Sequence, residues 1–379
     1  MRTSLREPLV RFVVKHPWFV AAVFLSIVGM GGIAVMVAGV VPIRASSGHW
    51  AVTARILDFA KLQSVKTYSL GIEPPDLQDE ALVVRGAAHY AMGCEPCHGG
   101  PSARVPPVMA AMTPPPPDLI GDRLTRWNSA QLFSIVKHGI KFTGMPAWPV
   151  QQRDDEVWAV VAFLTRLPHV DATGYERLTG RDTSDAFVPA GTGGPAVTPP
   201  ESVRTVCARC HGADGTGRDG AFPSLAAQRA EYLRAALRAF KDRSRFSATM
   251  SEIAARLDDA SMREVASYYE QLPARIPFAP SDPAVASRGA LMATRGIPER
   301  EIPACIECHG PSDIPRNPAY PRLAGQHASY LERQLDLLKQ RRRGGSPRVN
   351  VMHAVIDRLG PQDMHDVARY FASLPHVAP

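Results

Sequence analysis

The six cysteines of this 379-residue chain fall into three pairs, each closed by a histidine: Cys94-Glu95-Pro96-Cys97-His98, Cys207-Ala208-Arg209-Cys210-His211 and Cys305-Ile306-Glu307-Cys308-His309. Two thiols one helical turn apart can form thioethers to both vinyl groups of one porphyrin, and the adjoining imidazole then falls under the iron. A disulfide framework, the usual role of cysteine outside the cytoplasm, gives no reason for a histidine after every second cysteine. A thioredoxin-like pair needs a βαβ setting, and these motifs lie among Gly/Pro loops and short helices. Zinc needs four ligands, usually from two such pairs close together; here successive motif histidines are 113 and 98 residues apart. The spacing predicts three covalent haem c groups attached at Cys94, Cys97, Cys207, Cys210, Cys305 and Cys308, with His98, His211 and His309 as proximal iron ligands.

The distal ligand decides what such an iron does. Methionine opposite histidine raises the potential and suits electron transfer, whereas an open position suits gas binding or catalysis. Each motif is followed by a methionine and then by a helix ending in Leu-Pro: Met145 and Leu167-Pro168, Met250 and Leu272-Pro273, Met352 and Leu374-Pro375. The Met-to-Leu separation is 22 residues in all three copies, while the first-Cys-to-Met separation varies as 51, 43 and 47. A constant half with an elastic middle is the mark of a repeated domain whose loops differ. Core filling is the ordinary use of methionine, and Met262 and Met364, inside the last helices, are assigned to it. Met145 sits instead in Thr143-Gly144-Met145-Pro146, an exposed turn. Met109 and Met112 belong to a Pro-rich loop. His138, His327 and His353 compete for the distal position, but the second unit has no histidine besides His211 between residues 170 and 308. The expectation is three His/Met irons, with Met145, Met250 and Met352 distal.

Helices must hold these groups. Asp154-Asp155-Glu156 opens the last helix of the first unit with negative charge, and Val157, Val160, Val161 and Leu164 follow at helical spacing. Asp258-Asp259 and the Gln362-Asp363 region open its counterparts. Trp158 and Phe163, Tyr268 and Tyr269, and Tyr370 and Phe371 are expected to pack against an N-terminal helix in each unit. Gly86, Tyr90 and Cys94 fall four apart on one face of the first such helix, and Gly289 takes the place of Gly86 in the third unit.

Trp18 to Ile43 is a run of 26 uncharged residues, enough to span a bilayer with some tilt. It is longer than the apolar core of a signal peptide, and Ala45-Ser46-Ser47-Gly48 makes a poor cleavage site. Basic residues precede the run, which favours an N-terminus in the cytoplasm and export of the remainder. Of the formal charge of +7, residues 1–44 carry +4. The excess thus sits beside the apolar run rather than on a basic folded face, which argues against nucleic acid. A solvated helix end is the reading given to Arg341-Arg342-Arg343. The 35 prolines and 29 glycines favour short helices joined by irregular loops. The expected organisation is all-α: membrane anchor 1–44, connecting segment 45–78 with a short helix around 51–62, first domain 79–170, linker 171–202, second domain 203–276 and third domain 284–379.

The motif, loop methionine and aromatic-bearing last helix resemble the class I cytochromes c. The second and third units are similar to the tandem di-haem cytochromes of the cytochrome c-four group through Phe222-Pro223-Ser224-Leu225-Ala226 with Tyr232-Leu233, and Tyr320-Pro321-Arg322-Leu323-Ala324-Gly325-Gln326 with Tyr330-Leu331. Ala227 stands where that pattern has glycine. The first unit, with Lys137-His138-Gly139 and Gly144-Met145-Pro146-Ala147-Trp148, resembles haem domains of multi-haem cytochrome subunits of membrane dehydrogenases. The resemblance implies a tri-haem electron carrier without catalytic residues, on the periplasmic face of a bacterial inner membrane. Its implied donor is a quinol-oxidising complex or a dehydrogenase, and its implied acceptor a terminal oxidase. Two rivals are a dedicated cytochrome subunit of a membrane-bound dehydrogenase and a haem enzyme with one open iron.

Overall fold

A computed structural model describes residues 15–41, 44–121, 123–181, 198–274, 282–310, 317–345 and 349–375. The described residues form helices and no strands, as the sequence led one to expect. Residues 1–57 and 58–379 make two compact units. In the first, helix α1 (Pro17–Val37) has 21 residues and buries none of them. At 1.5 Å per residue it is about 31 Å long, close to the thickness of a bilayer's hydrocarbon core. It is the one helix among the described residues long and apolar enough to cross a membrane. Residues 42 and 43, in the expected span, lie outside the described residues. Helix α2 (Ala51–Tyr68) runs six residues beyond the Leu62 expected from sequence.

The first haem domain is built on two crossed helices. Helix α3 (Glu80–Gly93) is capped by Asp79, whose carboxylate accepts from the Ala81 N–H at 3.0 Å. The single turn α4 (Glu95–His98) follows, then α5 (Ser129–His138) and α6 (Asp154–Arg166). A Cβ on Gly86 would lie 1.8 Å from the Ala159 carbonyl oxygen and 2.9 Å from Phe163 Cβ, so α3 and α6 can touch only through a glycine. Phe163 packs on Tyr90 as expected, but Trp158 faces the other way and stacks on Phe133 of α5 at 4.3 Å. Residues 171–181, assigned from sequence to the linker, hold helix α7 (Ala172–Thr179), with Tyr175 and Thr179 fully buried. Residues 182–197 of that expected linker lie outside the described residues.

The second and third domains share a plan. The second contains α8 (Ala208–His211), α9 (Ala230–Lys241), α10 (Ala248–Ala255) and α11 (Asp259–Gln271). The third contains α12 (Pro283–Arg295), α13 (Ile306–His309), α14 (Ala328–Lys339), α15 (Val349–Ile356) and α16 (Pro361–Ser373). Helices α12 and α16 repeat the crossing of α3 and α6: a Cβ on Gly289 would lie 2.2 Å from the Asp366 carbonyl oxygen. In the second domain the described residues before the motif supply a five-residue turn, Val203–Cys207, and the expected N-terminal helix falls largely outside the described residues. Among the described residues Tyr268 and Tyr269 meet no long N-terminal helix. Their hydroxyls donate to the carbonyls of Ala213 (2.7 Å) and Gly212 (3.1 Å), tying α11 directly to the loop after the motif.

Candidate haem-binding sites

Each Cys-x-x-Cys-His sequence folds the same way. The turns α4, α8 and α13 begin just after the first cysteine and end on the histidine, and a glycine in left-handed conformation stops each one (Gly99, φ 70°; Gly212, φ 79°; Gly310, φ 72°). In all three the histidine Nδ1 faces a proline carbonyl: His98 to Pro117 at 2.9 Å, His211 to Pro223 at 3.1 Å and His309 to Pro321 at 2.9 Å. An imidazole that donates from Nδ1 keeps its lone pair on Nε2, the tautomer that binds a metal. The prolines were not read from sequence as functional, although an aromatic-Pro pair 12 residues after the histidine in the second and third units was visible.

The cysteines form no disulfides. Burial pushes the Cys94 and Cys207 thiols up to about 12 and Cys305 up to about 11. A redox-active or nucleophilic pair needs the opposite shift, so burial argues against that use of these sulfurs.

A single cavity of about 390 Å³ runs through the second and third domains. It brings Cys207, Cys210, His211 and Met250 together with Cys305, Cys308, His309 and Met352 on its walls. Leu233, Leu237, Phe240, Ile253 and Val265 supply apolar lining in the second domain. Against these walls stand buried cations. Arg245 donates to Tyr232 and Tyr330 hydroxyls (3.4 and 3.1 Å) and to Gln334 Oε1 (3.2 Å), and Arg343 donates to the same Gln334 oxygen at 2.8 Å. None of these acceptors is a carboxylate. Burial, followed by repulsion from Arg85, drives Arg333 down to about 9. Cations held in an apolar cavity by phenol and amide acceptors, with no carboxylate among them, call for an anion. A haem, apolar in its ring and carrying two carboxylates on one edge, matches walls and charges together, with Arg245, Arg333 and Arg343 suited to its carboxylates. When bound, it supplies reversible one-electron exchange; the chain supplies attachment, axial ligands and a dry enclosure.

The first domain arranges its site differently. Tyr90 donates to the Gly99 carbonyl at 2.7 Å, and Glu95, inside the motif and 7% exposed, accepts from Tyr175 (2.7 Å) and from both Arg181 terminal nitrogens (2.7 and 2.6 Å). Helix α7 is thus fastened to the attachment turn. Met145 sits in a closed loop, where Ile140 N–H donates to its carbonyl at 3.2 Å and its own N–H donates to Thr143 Oγ1 at 3.1 Å. Met109 and Met112 also approach this site: Met109 Sδ is 3.9 Å from Cys97 Sγ, and the Met112 methyl fills the space beside Gly144.

Of the competing histidines, His138 is exposed. His327 is 9% exposed and its Nε2 bonds the Thr216 carbonyl at 2.8 Å, a contact between the second and third domains. Met352 lines the cavity and its neighbour His353 does not. Met262 is 1% exposed in the second domain, and Met364 packs on the third domain's core.

Two glutamines join the second and third domains reciprocally. Gln326 accepts from Ser224 N–H (2.8 Å) and donates to Ser224 O (2.9 Å), while Gln228 accepts from Arg322 N–H (3.0 Å) and donates to Arg322 O (3.0 Å). The arginine run at 341–343 is not the solvated helix end expected. Arg342 pairs with Asp154 of the first domain at 3.0 Å and Arg343 turns into the cavity, because α14 ends where three domains meet. Ala227 adopts φ 56° and its N–H donates to the Tyr269 carbonyl at 2.9 Å, just as Gly325 (φ 74°) donates to Phe371 O at 2.9 Å. The loop geometry survives the loss of glycine.

The fold and its repeated histidine turns define a cytochrome c, and comparison with known proteins agrees. Residues 201–273 and 300–375 match the cytochrome c family, and residues 81–164 match cytochrome c oxidase, cbb3-type, subunit III. A thiosulfate dehydrogenase electron acceptor of Thiomonas intermedia is 38% identical over 182 residues, covering 48% of this chain and 82% of that protein. Cytochrome c4 of Thiocapsa roseopersicina is 34% identical over 171 residues, covering 45% of this chain and 87% of that one. Among solved structures, reduced cytochrome c4 from Pseudomonas stutzeri is 29% identical with a TM-score of 0.42, covering 45% of this chain and 94% of that one. The chain belongs to the class I cytochrome c family. It is an electron-transfer protein with covalently bound haem c, not an enzyme.

Proposed function

We propose that this chain is a tri-haem carrier anchored by α1 in a bacterial inner membrane, with its haem domains in the periplasm and histidine–methionine ligation at each iron. The observation that carries the reading is the threefold recurrence of the attachment turn, each with its histidine Nδ1 fixed on a proline carbonyl. Met145, Met250 and Met352 are the distal ligands in this reading. The second and third domains, similar to an electron acceptor of thiosulfate dehydrogenase, take electrons from a dehydrogenase of that kind. The first domain, matched by an oxidase-subunit family, hands them toward a terminal oxidase. The anchor keeps the haem domains near membrane partners by raising their effective concentration. Stopped-flow mixing of the oxidised protein with thiosulfate and its dehydrogenase tests the donor, and rapid reduction of all haem is expected. Reduction by quinol and its oxidising complex alone would move the assignment to the other donor. Purification of the native membrane complex tests the subunit alternative, which requires a dehydrogenase partner to remain bound.

A further inference from the structure

Three side chains of the first domain converge on the four residues that precede Met250. Arg153 donates to the Phe246 carbonyl. Glu156, 2% exposed, accepts from the Ala248 N–H at 2.9 Å, one of the unpaired donors at the start of α10. His89, 8% exposed, bonds Thr249 Oγ1 through Nδ1 at 2.6 Å. The second domain itself contributes the Ser247 cap, whose hydroxyl accepts from Met250 N–H at 3.3 Å. Glu156 is further held by Arg153 at 3.1 Å and by Trp148 Nε1 at 3.4 Å, and His89 meets Trp148 edge-on at 5.6 Å between centroids. Arg85, His89, Arg153 and Glu156 all reach the wall of the cavity that Met250 lines.

A carboxylate at a helix N-terminus both satisfies its N–H groups and complements its dipole. Here that carboxylate comes from another domain. Eight residues are too few to be stable alone; α10 packs on α9, while its first turn rests on the Ser247 cap and these groups of the first domain, so that turn shifts when they go. We propose that Glu156 and His89, seated by Arg153, are positioning residues that hold the Met250 turn, so that the first domain fixes the distal methionine of the second. The proposal rests on the reading of Met250 as an iron ligand. It makes the first domain a determinant of the middle haem's potential and of its closure to external ligands.

The test uses the full-length holoprotein. In Glu156→Ala/His89→Ala, the ferrous form is expected to bind CO at about one haem in three, with loss of a matching share of the methionine-to-iron charge-transfer band in the ferric form. One of the three midpoint potentials falls, and Glu156→Gln, which keeps an oxygen acceptor, restores the closed state. Met250→Ala should open the same single haem, and combining all three substitutions should open no second one, because residues acting on one ligand are not additive. If Met250→Ala opens one haem while Glu156→Ala/His89→Ala opens none, the positioning role is wrong. If the combined variant opens two haems, the latch acts on another iron and the proposal also fails. If Met250→Ala itself opens none, the ligand assignment is wrong and the proposal falls with it.

Discussion

The two junctions between haem domains are built on different principles. Between the second and third domains the contact is symmetric: each glutamine side chain satisfies both backbone groups of a residue four positions before its counterpart. Repeated domains can pair this way because each brings the same loop, and the shared cavity then lies across the pseudo-twofold axis. Between the first and second domains the contacts run both ways but are unlike: Arg209 and Arg218 of the second donate to carbonyls of α7 in the first. In the other direction, ionic and aromatic groups of the first domain grip the turn before Met250 in the second. A duplicated pair thus joins through what its members have in common, whereas the appended domain reaches its neighbour through side chains its own fold leaves to spare.

Breaking the symmetric junction should cost most. Gln228→Ala/Gln326→Ala strands buried backbone groups on both loops and is expected to destabilise the pair by about 4 kcal/mol, read as a lower denaturant midpoint for the second and third domains. The asymmetric junction should instead respond to acid. Burial lowers His89 to about 4 from its usual 6.5. The unfolded chain takes up this proton first, so the stability that neutral His89 provides is complete above about pH 6.5 and is lost as pH falls toward 4. The loss approaches about 3 kcal/mol. Denaturation of the first domain against pH should show it, and His89→Gln should flatten the profile. Smaller again, Glu156→Ala is expected to cost about 2 kcal/mol by leaving the partly buried Ala248 N–H without its acceptor; Arg153 keeps its pairing with Asp155. Loss of Glu156 should loosen the turn before Met250 and leave the glutamine pair intact. Smallest is Ala227→Gly, which relieves a left-handed alanine and should stabilise the second domain by about 1 kcal/mol; Gly325→Ala should weaken the third by a similar amount.

The attachment turns, the repeated last helices and the two helix-crossing glycines were legible from sequence because each depends on neighbours within one repeat. Gly86 stands 8 residues before its motif and Gly289 16 before its own, so the mark was a glycine in the helix ahead of the motif, while the Met-to-Leu spacing is constant. Helix α7 was not legible. Its Ala-Thr-Gly-Tyr composition reads as a loop, and it is stabilised by Glu95, 80 residues before Tyr175. Neither was the fate of Arg342, whose partner Asp154 is 188 residues away in another domain. Among the described residues the second domain shows only the Val203–Cys207 turn before its motif. There, two tyrosine hydroxyls hold the motif loop.

Most directly at stake is covalent haem at three places on one polypeptide. Intact-mass measurement of protein matured in its native host, followed by peptide mapping, should find the chain mass plus three haems, one on each Cys-x-x-Cys-His peptide. Any of the three motif peptides recovered with two free, alkylatable thiols would contradict it.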